Sequence, residues 1–475
     1  MLRDLKACVV GSGPNGLAAA IVLAQAGVAV DVFEAESVPG GAARTLELTL
    51  PGFLHDFGSA VHPLGAGSPF FLSLPLQDHG LQWIHSPAAL AHPLDGGSAV
   101  VLERDLASAK SSLGVDGEAW TKLVKPFVEH WSQFVPEVLR PVPTIPRHPW
   151  LMARFGVQAL QSAKRIAHGF RSDRTRAMFA GLAAHSFLAL DEPLSGAFGL
   201  IFAISLHSVG WPIPRGGSQS LTTALCSYLS SLGGRVKTSS RVESLEALSQ
   251  YDLFLCDVTP RQLLAIAGPR LSDGYKRRLQ SFRYGPGVFK VDFALSEPIP
   301  WKATDCSRAA TVHLGGTFEE IAAAENATRN GQLVDRPFVL LAQPSLFDSS
   351  RAPAGKHIAW AYCHVPNGSS ADMLKKLEDQ IERFAPGFRE AVLARRIFFP
   401  ADLENMDANL VGGDVGGGAM DVRQFLFRPT RRYYATSAKD VYICSASTPP
   451  GGGVHGMCGY HAAKMALSRL SGARR

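Results

Sequence analysis

Residues 6–45 constrain the fold more than any other segment. The apolar run 6–10 enters a glycine turn, Gly11-Ser12-Gly13-Pro14-Asn15-Gly16, and that turn opens directly into the apolar helix-forming run 17–24. Gly27 closes the helix, and 28–34 is a second apolar strand ending on Glu34. Strand, glycine turn, helix, strand and terminal acid, in this order, make the βαβ unit that binds a dinucleotide. Gly11 permits the tight turn, Gly13 lets backbone approach a pyrophosphate, and Gly16 lets helix and strand pack closely. Unpaired N–H groups at the helix start, including those beside Pro14 and Asn15, favour phosphate. Glu34 can accept both ribose hydroxyls of an adenosine and would repel a 2′-phosphate.

The continuation favours FAD over NAD. Pro39-Gly40-Gly41-Ala42-Ala43-Arg44-Thr45 adds a glycine doublet and an arginine. In two-dinucleotide-binding flavoproteins this extension runs along the pyrophosphate, with the arginine near the phosphates or the flavin. No second strand-linked GxGxxG occurs, so a separate NAD(P)H domain is not indicated.

At 475 residues the chain exceeds one simple core, and its rhythm suggests interleaved domains. The predicted fold class is α/β: a Rossmann-type FAD-binding domain with an inserted mixed α+β substrate domain. The FAD-binding segments are expected at 1–70, 214–275 and 435–475. A mostly helical part of the substrate domain is expected at 71–213 and its sheet part at 276–434. Pro136, Pro141, Pro143, Pro146 and Pro149 are expected to break any helix around them. The uncharged stretch 193–214 is interrupted by Gly196, Gly199, Ser205, His207 and Ser208, and is read as a buried helix lining an apolar cavity. Residues 150–176 read as a basic helix with Trp150, Leu151, Phe155 and Phe170, either a solvated surface helix or one lying on a membrane. A strand is expected over 241–245 and an amphipathic helix over 371–385.

A net charge of +6, without a dense Lys/Arg run, argues against a nucleic-acid partner. The seven cysteines form no CxxC pair, so neither a metal site nor a redox disulfide is signalled. Their scatter fits a reducing compartment, and the early first strand leaves no room for a signal peptide. A cytoplasmic location, with peripheral membrane contact as an option, is the expectation.

The last third carries a second signal: strand 441–444, loop 445–450, then Gly451-Gly452-Gly453-Val454-His455-Gly456-Met457 at the start of a helix. Backbone N–H groups there can stabilise negative charge on a flavin pyrimidine.

With GSGPNGLAAA, PGGAART, FGSAVHPL, PRGGSQSL, GGDVGGGAMDVRQFLFRP and CSASTPPGGGVHGMCGYHAA in view, the chain resembles the phytoene desaturase-type branch of FAD-dependent amine-oxidase-like flavoproteins. That branch holds carotenoid desaturases, carotenoid isomerases and retinol saturases. Within it the resemblance is greatest to the group named pyridine nucleotide-disulfide oxidoreductase domain-containing protein 2. One departure is Gly417-Gly418, where such proteins often carry His-Gly.

The resemblance implies a flavin exchanging a hydride with a hydrophobic, polyene or isoprenoid substrate. By motif position it places Gly11, Gly13, Gly16, Glu34, Arg44, Val242 and Met457 on FAD, Val242 through its backbone. Pro14, Asn15, Gly40, Gly41, Gly58, Gly453, Val454 and His455 join them as cofactor-binding candidates. His62 and His455, the histidines inside flavin-adjacent motifs, are acid/base candidates or structural anchors. Asp414, Asp421, Gln424 and Arg428 are site candidates or anchors of a glycine-rich loop; Arg428 is carried as catalytic. Electrons would pass to oxygen, a quinone or another protein. Redox-neutral isomerisation, and a flavin-binding interaction protein without turnover, are the alternatives. An amine oxidase is weaker, because Tyr460 is the only aromatic residue near the C-terminal motif.

Overall fold

The computed structural model describes residues 4–142 and 144–472; Pro143 lies outside them. Two sheets organise the chain. The first has five parallel strands in the order Val441–Ile443, Leu253–Cys256, Lys6–Val10, Ala29–Phe33, Arg235–Lys237. Such a sheet needs helices on both faces, which is why Val441–Ile443, Leu253–Cys256 and Lys6–Val10 are buried along nearly their whole length. Helices Pro14–Gln25, Gln219–Ser231 and Met457–Gly472 share one apolar core with the strand side chains Ala7 and Val9. The first and last of these pack backbone to backbone: a methyl group added at Gly459 would sit 1.8 Å from the Asn15 carbonyl oxygen. The glycine turn at one end of the chain is thereby fastened to the glycine turn at the other.

The second sheet has seven strands, in the order Val392–Phe398, Gly287–Leu295, His357–Val365, Val339–Ala342, Ala309–Leu314, Ala88–Pro93, Ala99–Leu102. All pairs are antiparallel except Ala309–Leu314 with Ala88–Pro93. Segments 71–213 and 276–434 therefore contribute strands to one sheet, and the first is not purely helical. The two faces of this sheet differ in chemistry, as the period of two requires. Phe289, Val291, Phe293, Leu341, Ala361 and Cys363 pack against the amphipathic helix Leu374–Phe384, shorter than expected at both ends. The opposite face carries two polar rows set by register: Lys290, Tyr362, Leu340, His313, and then Asp292, Trp360, Ala342, Thr311.

Over that face lie the helices Gly117–Val128, Asp173–Ala184 and Ser195–Val209. The last is the uncharged stretch read as a buried helix. Residues 150–176 are not one helix but parts of three: Pro149–Ala159, Ala163–Ala167 and the start of Asp173–Ala184. Ser162 and Ser172 each cap a new start by accepting a backbone N–H, which interrupts the run. The prolines also break less than expected. Pro136 sits inside helix Trp131–Val138, and Pro149 opens a helix at its first turn, where no N–H partner is lost. Residues 241–244 are irregular and lead into a 3₁₀ turn at Leu245–Leu248, because the parallel sheet already ends at Arg235–Lys237. No helix among the described residues is long and apolar enough to cross a membrane.

Candidate active site

One continuous cavity of about 710 Å³ runs from the glycine turn to the polar face of the second sheet. At its outer end Gly11 has a φ of +97°, open to glycine, and its N–H donates to the Phe33 carbonyl at 2.8 Å. Gly16 has no room for a side chain, since a methyl there would lie 2.1 Å from the Gly11 carbonyl oxygen. Gly41 faces Gly13 across the same gap, and a methyl on Gly41 would reach within 3.3 Å of the Gly13 Cα. Glu34 is buried, accepting from the Ser12 N–H at 2.9 Å, the Ser12 hydroxyl at 2.5 Å and the Glu36 N–H at 2.9 Å. Ser12 Oγ in turn accepts from the Gly40 N–H at 3.1 Å. The turn, the strand-end acid and the glycine doublet thus form one network. Arg44 is clamped by the Gly41 and Met406 carbonyls, each at 2.7 Å, and lies over the Phe57 ring.

Of the cofactor-binding candidates, Gly11, Gly13, Pro14, Asn15, Glu34, Gly41, Arg44, Gly58, Val242, Gly453 and Val454 line this cavity. Gly16, Gly40, His455 and Met457 do not. Gly16 and Gly40 act one layer back, through close packing and the bond to Ser12. The Met457 N–H donates to His455 Nδ1 at 3.0 Å, so His455 anchors the start of the last helix. The glycine cradle, the buried unpartnered Asn15 Oδ1 and the acid beyond them suit an adenine dinucleotide.

The catalytic candidates separate. His62 lines the cavity; its Nε2 meets Ser218 Oγ at 2.8 Å, and burial lowers its pKa to about 4, leaving the ring neutral. Ser218 is itself tied to Asp56 and to the Ser59 carbonyl, which explains why FGSAVHPL and PRGGSQSL come together. Burial also takes His455 to about 4, but its ring is enclosed away from the cavity. Arg428 is fully buried and off the cavity wall; it donates to the Gly417 carbonyl at 2.6 Å and to Met420 Sδ at 3.1 Å. Asp421 and Gln424 bond to Arg283, the Gln424 side chain also to the Ala419 carbonyl, and Asp414 accepts from Gly285 and Gly416 N–H. All four hold the glycine-rich loop, and Asp414 also reaches the cavity wall.

Several wall residues escaped the sequence reading. Asp257 lies under the turn, accepts the Gly16 N–H at 2.8 Å, and is pushed by burial to a pKa of about 8. Lys290 lines the inner cavity with its ammonium paired to buried Asp292, and burial lowers its pKa. The alternation of 288–295 puts Lys290 and Asp292 on one strand face, and two opposite charges there were the available signal. Phe202, Trp211, Trp360 and Tyr362, with Leu340, complete an apolar, largely aromatic inner wall. Residues 405–410, between the sheets, line the middle and carried no recognisable motif. The seven cysteines are free thiols, and no metal-binding cluster occurs among the described residues.

Residues 9–70 match the family model for an NAD(P)-binding Rossmann-like domain. The rat pyridine nucleotide-disulfide oxidoreductase domain-containing protein 2 is 26% identical over 98% of this chain and 94% of its own length. A lycopene-forming phytoene desaturase from Pseudescherichia vulneris is 24% identical over 95% and 96%. Among solved structures, an oxidoreductase from Methanosarcina mazei superposes with a TM-score of 0.63 at 17% identity, covering 98% of this chain and 100% of that one. A putrescine oxidase variant does so at 0.60 and 15% identity, covering 98% and 99%. The chain has an amine-oxidase-like fold that includes a Rossmann-like dinucleotide-binding unit, and it is similar along its length to pyridine nucleotide-disulfide oxidoreductase domain-containing protein 2 and to a lycopene-forming phytoene desaturase.

Proposed function

We propose that the protein exchanges a hydride between FAD and a hydrophobic, polyene or isoprenoid molecule held in the inner half of the cavity. The observation that carries this reading is continuity: one cavity joins the nucleotide cradle at Glu34 and Arg44 to the aromatic wall of Phe202, Trp211 and Trp360. Bound FAD supplies hydride acceptance and donation at N5. The chain supplies orientation and a dry wall; His62, neutral and fixed by Ser218, and Lys290, fixed by Asp292, are its proton-exchanging groups at that wall. Electrons pass onward to oxygen, a quinone or another protein. The test is to record the visible spectrum of the purified protein and then titrate it anaerobically with apolar lipids. Bleaching by an apolar donor is expected; a protein that stays colourless with added FAD would refute the reading at its root.

The same reading assigns a membrane contact. Trp150, Arg154 and Val157 share one exposed face of helix Pro149–Ala159, and Ile145 and Leu160 flank it, with Trp150 88% and Ile145 91% exposed. Aromatic and aliphatic side chains beside arginine suit an anionic lipid surface from which an apolar substrate is drawn. Vesicle flotation with and without anionic lipid tests this, and Trp150→Glu should abolish it.

A further inference from the structure

The inner cavity is apolar in its walls but not in its hydrogen bonding. His185 ends helix Asp173–Ala184 and packs against Phe202 and Trp211, at ring distances of 4.6 and 5.8 Å. It is only half-buried although it lies in the interior, because the surface it exposes is the cavity wall. Its Nε2 meets Nε2 of His313 at 3.0 Å. Both rings are neutral, since burial lowers the pKa of His185 to about 3 and holds that of His313 well below its ordinary value. Each ring then has a single N–H, and one of them must donate across the pair.

The surroundings of His313 decide which. Its Nδ1 is buried and has no hydrogen-bond partner among the described residues. Gly181 presses on that atom: a methyl built on Gly181 would sit 2.6 Å from it. A glycine hydrogen pointing at Nδ1 leaves space for a lone pair and not for a second hydrogen. A buried orphan N–H is also the rarer defect in folded proteins. The His313 proton is therefore on Nε2, donated to His185, and the His185 proton is on Nδ1. That nitrogen has no partner among the described residues. Two further cavity residues, Trp360 and Thr311, have an Nε1–H and a hydroxyl without partners, in the row that Ala342 separates with a single methyl group. Indole N–H can only donate.

We infer that the inner cavity selects an apolar molecule bearing an uncharged, hydrogen-bond-accepting oxygen, received by His185 Nδ1–H, with His313 as the positioning residue that keeps the proton there. An ammonium group would find no unpaired carboxylate beside His185, because the Asp292 charge is matched by Lys290, and a carboxylate would lack a counter-ion for the same reason. The inference rests on the hydrophobic-substrate reading above and narrows it from hydrocarbon to oxygenated lipid.

The test uses the oxidised FAD-loaded protein and a matched set of probes: farnesol, farnesene and farnesylamine, titrated by the perturbation of the bound flavin spectrum. Farnesol should bind about tenfold more tightly than farnesene, the value of one buried hydrogen bond, and farnesylamine should bind most weakly. His185→Phe should bring the alcohol-to-hydrocarbon ratio to within about threefold of unity, and His185→Asn, whose amide N–H can replace Nδ1–H, should restore it. Nitrogen-15 NMR of labelled histidine should show His185 protonated at Nδ1 in wild type and not predominantly so in His313→Leu. Equal binding of farnesol and farnesene, or an unchanged ratio in His185→Phe, overturns the inference while leaving the hydrophobic-substrate reading standing. If neither apolar probe perturbs the flavin, both fall.

Discussion

Replacing Asp257 by asparagine isolates one buried charge beneath the phosphate turn. The carboxyl is 6% exposed, bonds the Gly16 N–H at 2.8 Å, and has Asp407 and Glu34 nearby, whose charges add to the effect of burial. Its pKa of about 8 compares with about 3.9 for an unfolded aspartate. The folded protein thus binds a proton that the unfolded chain has released, and stability falls as pH rises through the folded pKa. Between pH 7 and pH 9 the unfolded group is ionised throughout, while the folded group goes from about one-tenth to about nine-tenths ionised. The resulting loss is about 1.4 kcal/mol. Asparagine keeps an acceptor for Gly16 and cannot titrate, so Asp257→Asn should lack this component. Urea denaturation of the FAD-free protein at pH 7, 8 and 9 measures it as the difference in slope between wild type and variant. FAD affinity should follow, because the pyrophosphate disfavours an ionised Asp257: up to about tenfold weaker at pH 9 in wild type, with this component absent in the variant. Parallel pH slopes in the two proteins would refute the assignment of a proton to Asp257.

Gly16→Ala forces a methyl to within 2.1 Å of the Gly11 carbonyl oxygen and should cost about 1–3 kcal/mol, with loss of retained flavin on purification, read by denaturation and by the 450 nm absorbance. Glu34→Ala removes the acceptor that holds Ser12, and through it Gly40; a fluorescence titration of the apoprotein should show FAD affinity lower by about tenfold or more. His55, His62, His92, His185, His207 and His455 have pKa values lowered to between about 3 and about 4 by burial, so the folded chain refuses protons that the unfolded chain takes up below pH 6.5. Each should remove about 1 kcal/mol of stability per pH unit below 6.5, until pH reaches its folded value, so denaturation midpoints should drop steeply from pH 7 to pH 5.5. For the same reason the turnover profile should contain no inflection near pH 6.5 from His62.

Much of the nucleotide half was legible in the sequence because its chemistry is local. A phosphate turn needs glycines at fixed spacing, a strand before it and an acid at the end of the next strand, and all lie within residues 6–34. The candidate residues there line the cavity or stand directly behind it. The glycine-rich segment near the C-terminus was equally visible, but its histidine turned out to serve the helix start, since a motif does not say which way a ring points. The long basic helix over 150–176 failed for a related reason: two serine caps divide it, and caps outweighed the apparent periodicity.

The amino-acid sequence alone determined the dinucleotide-binding βαβ unit, and with it the positions of the glycine turn and the strand-end acid that we propose for the pyrophosphate and the adenosine ribose. These follow from short-range backbone geometry, which glycine spacing encodes directly. Only the tertiary structure decided what lies opposite. Lys290, Tyr362, Leu340 and His313 are up to 72 positions apart yet form one row, and Asp292, Trp360, Ala342 and Thr311 form the next, because four strands pair in a register that no local signal specifies. The placement of His185 over that face depends likewise on a helix packed from another segment of the chain. Side-chain burial, and with it the neutrality of the histidines and the raised pKa of Asp257, arises only once those distant segments exclude water together.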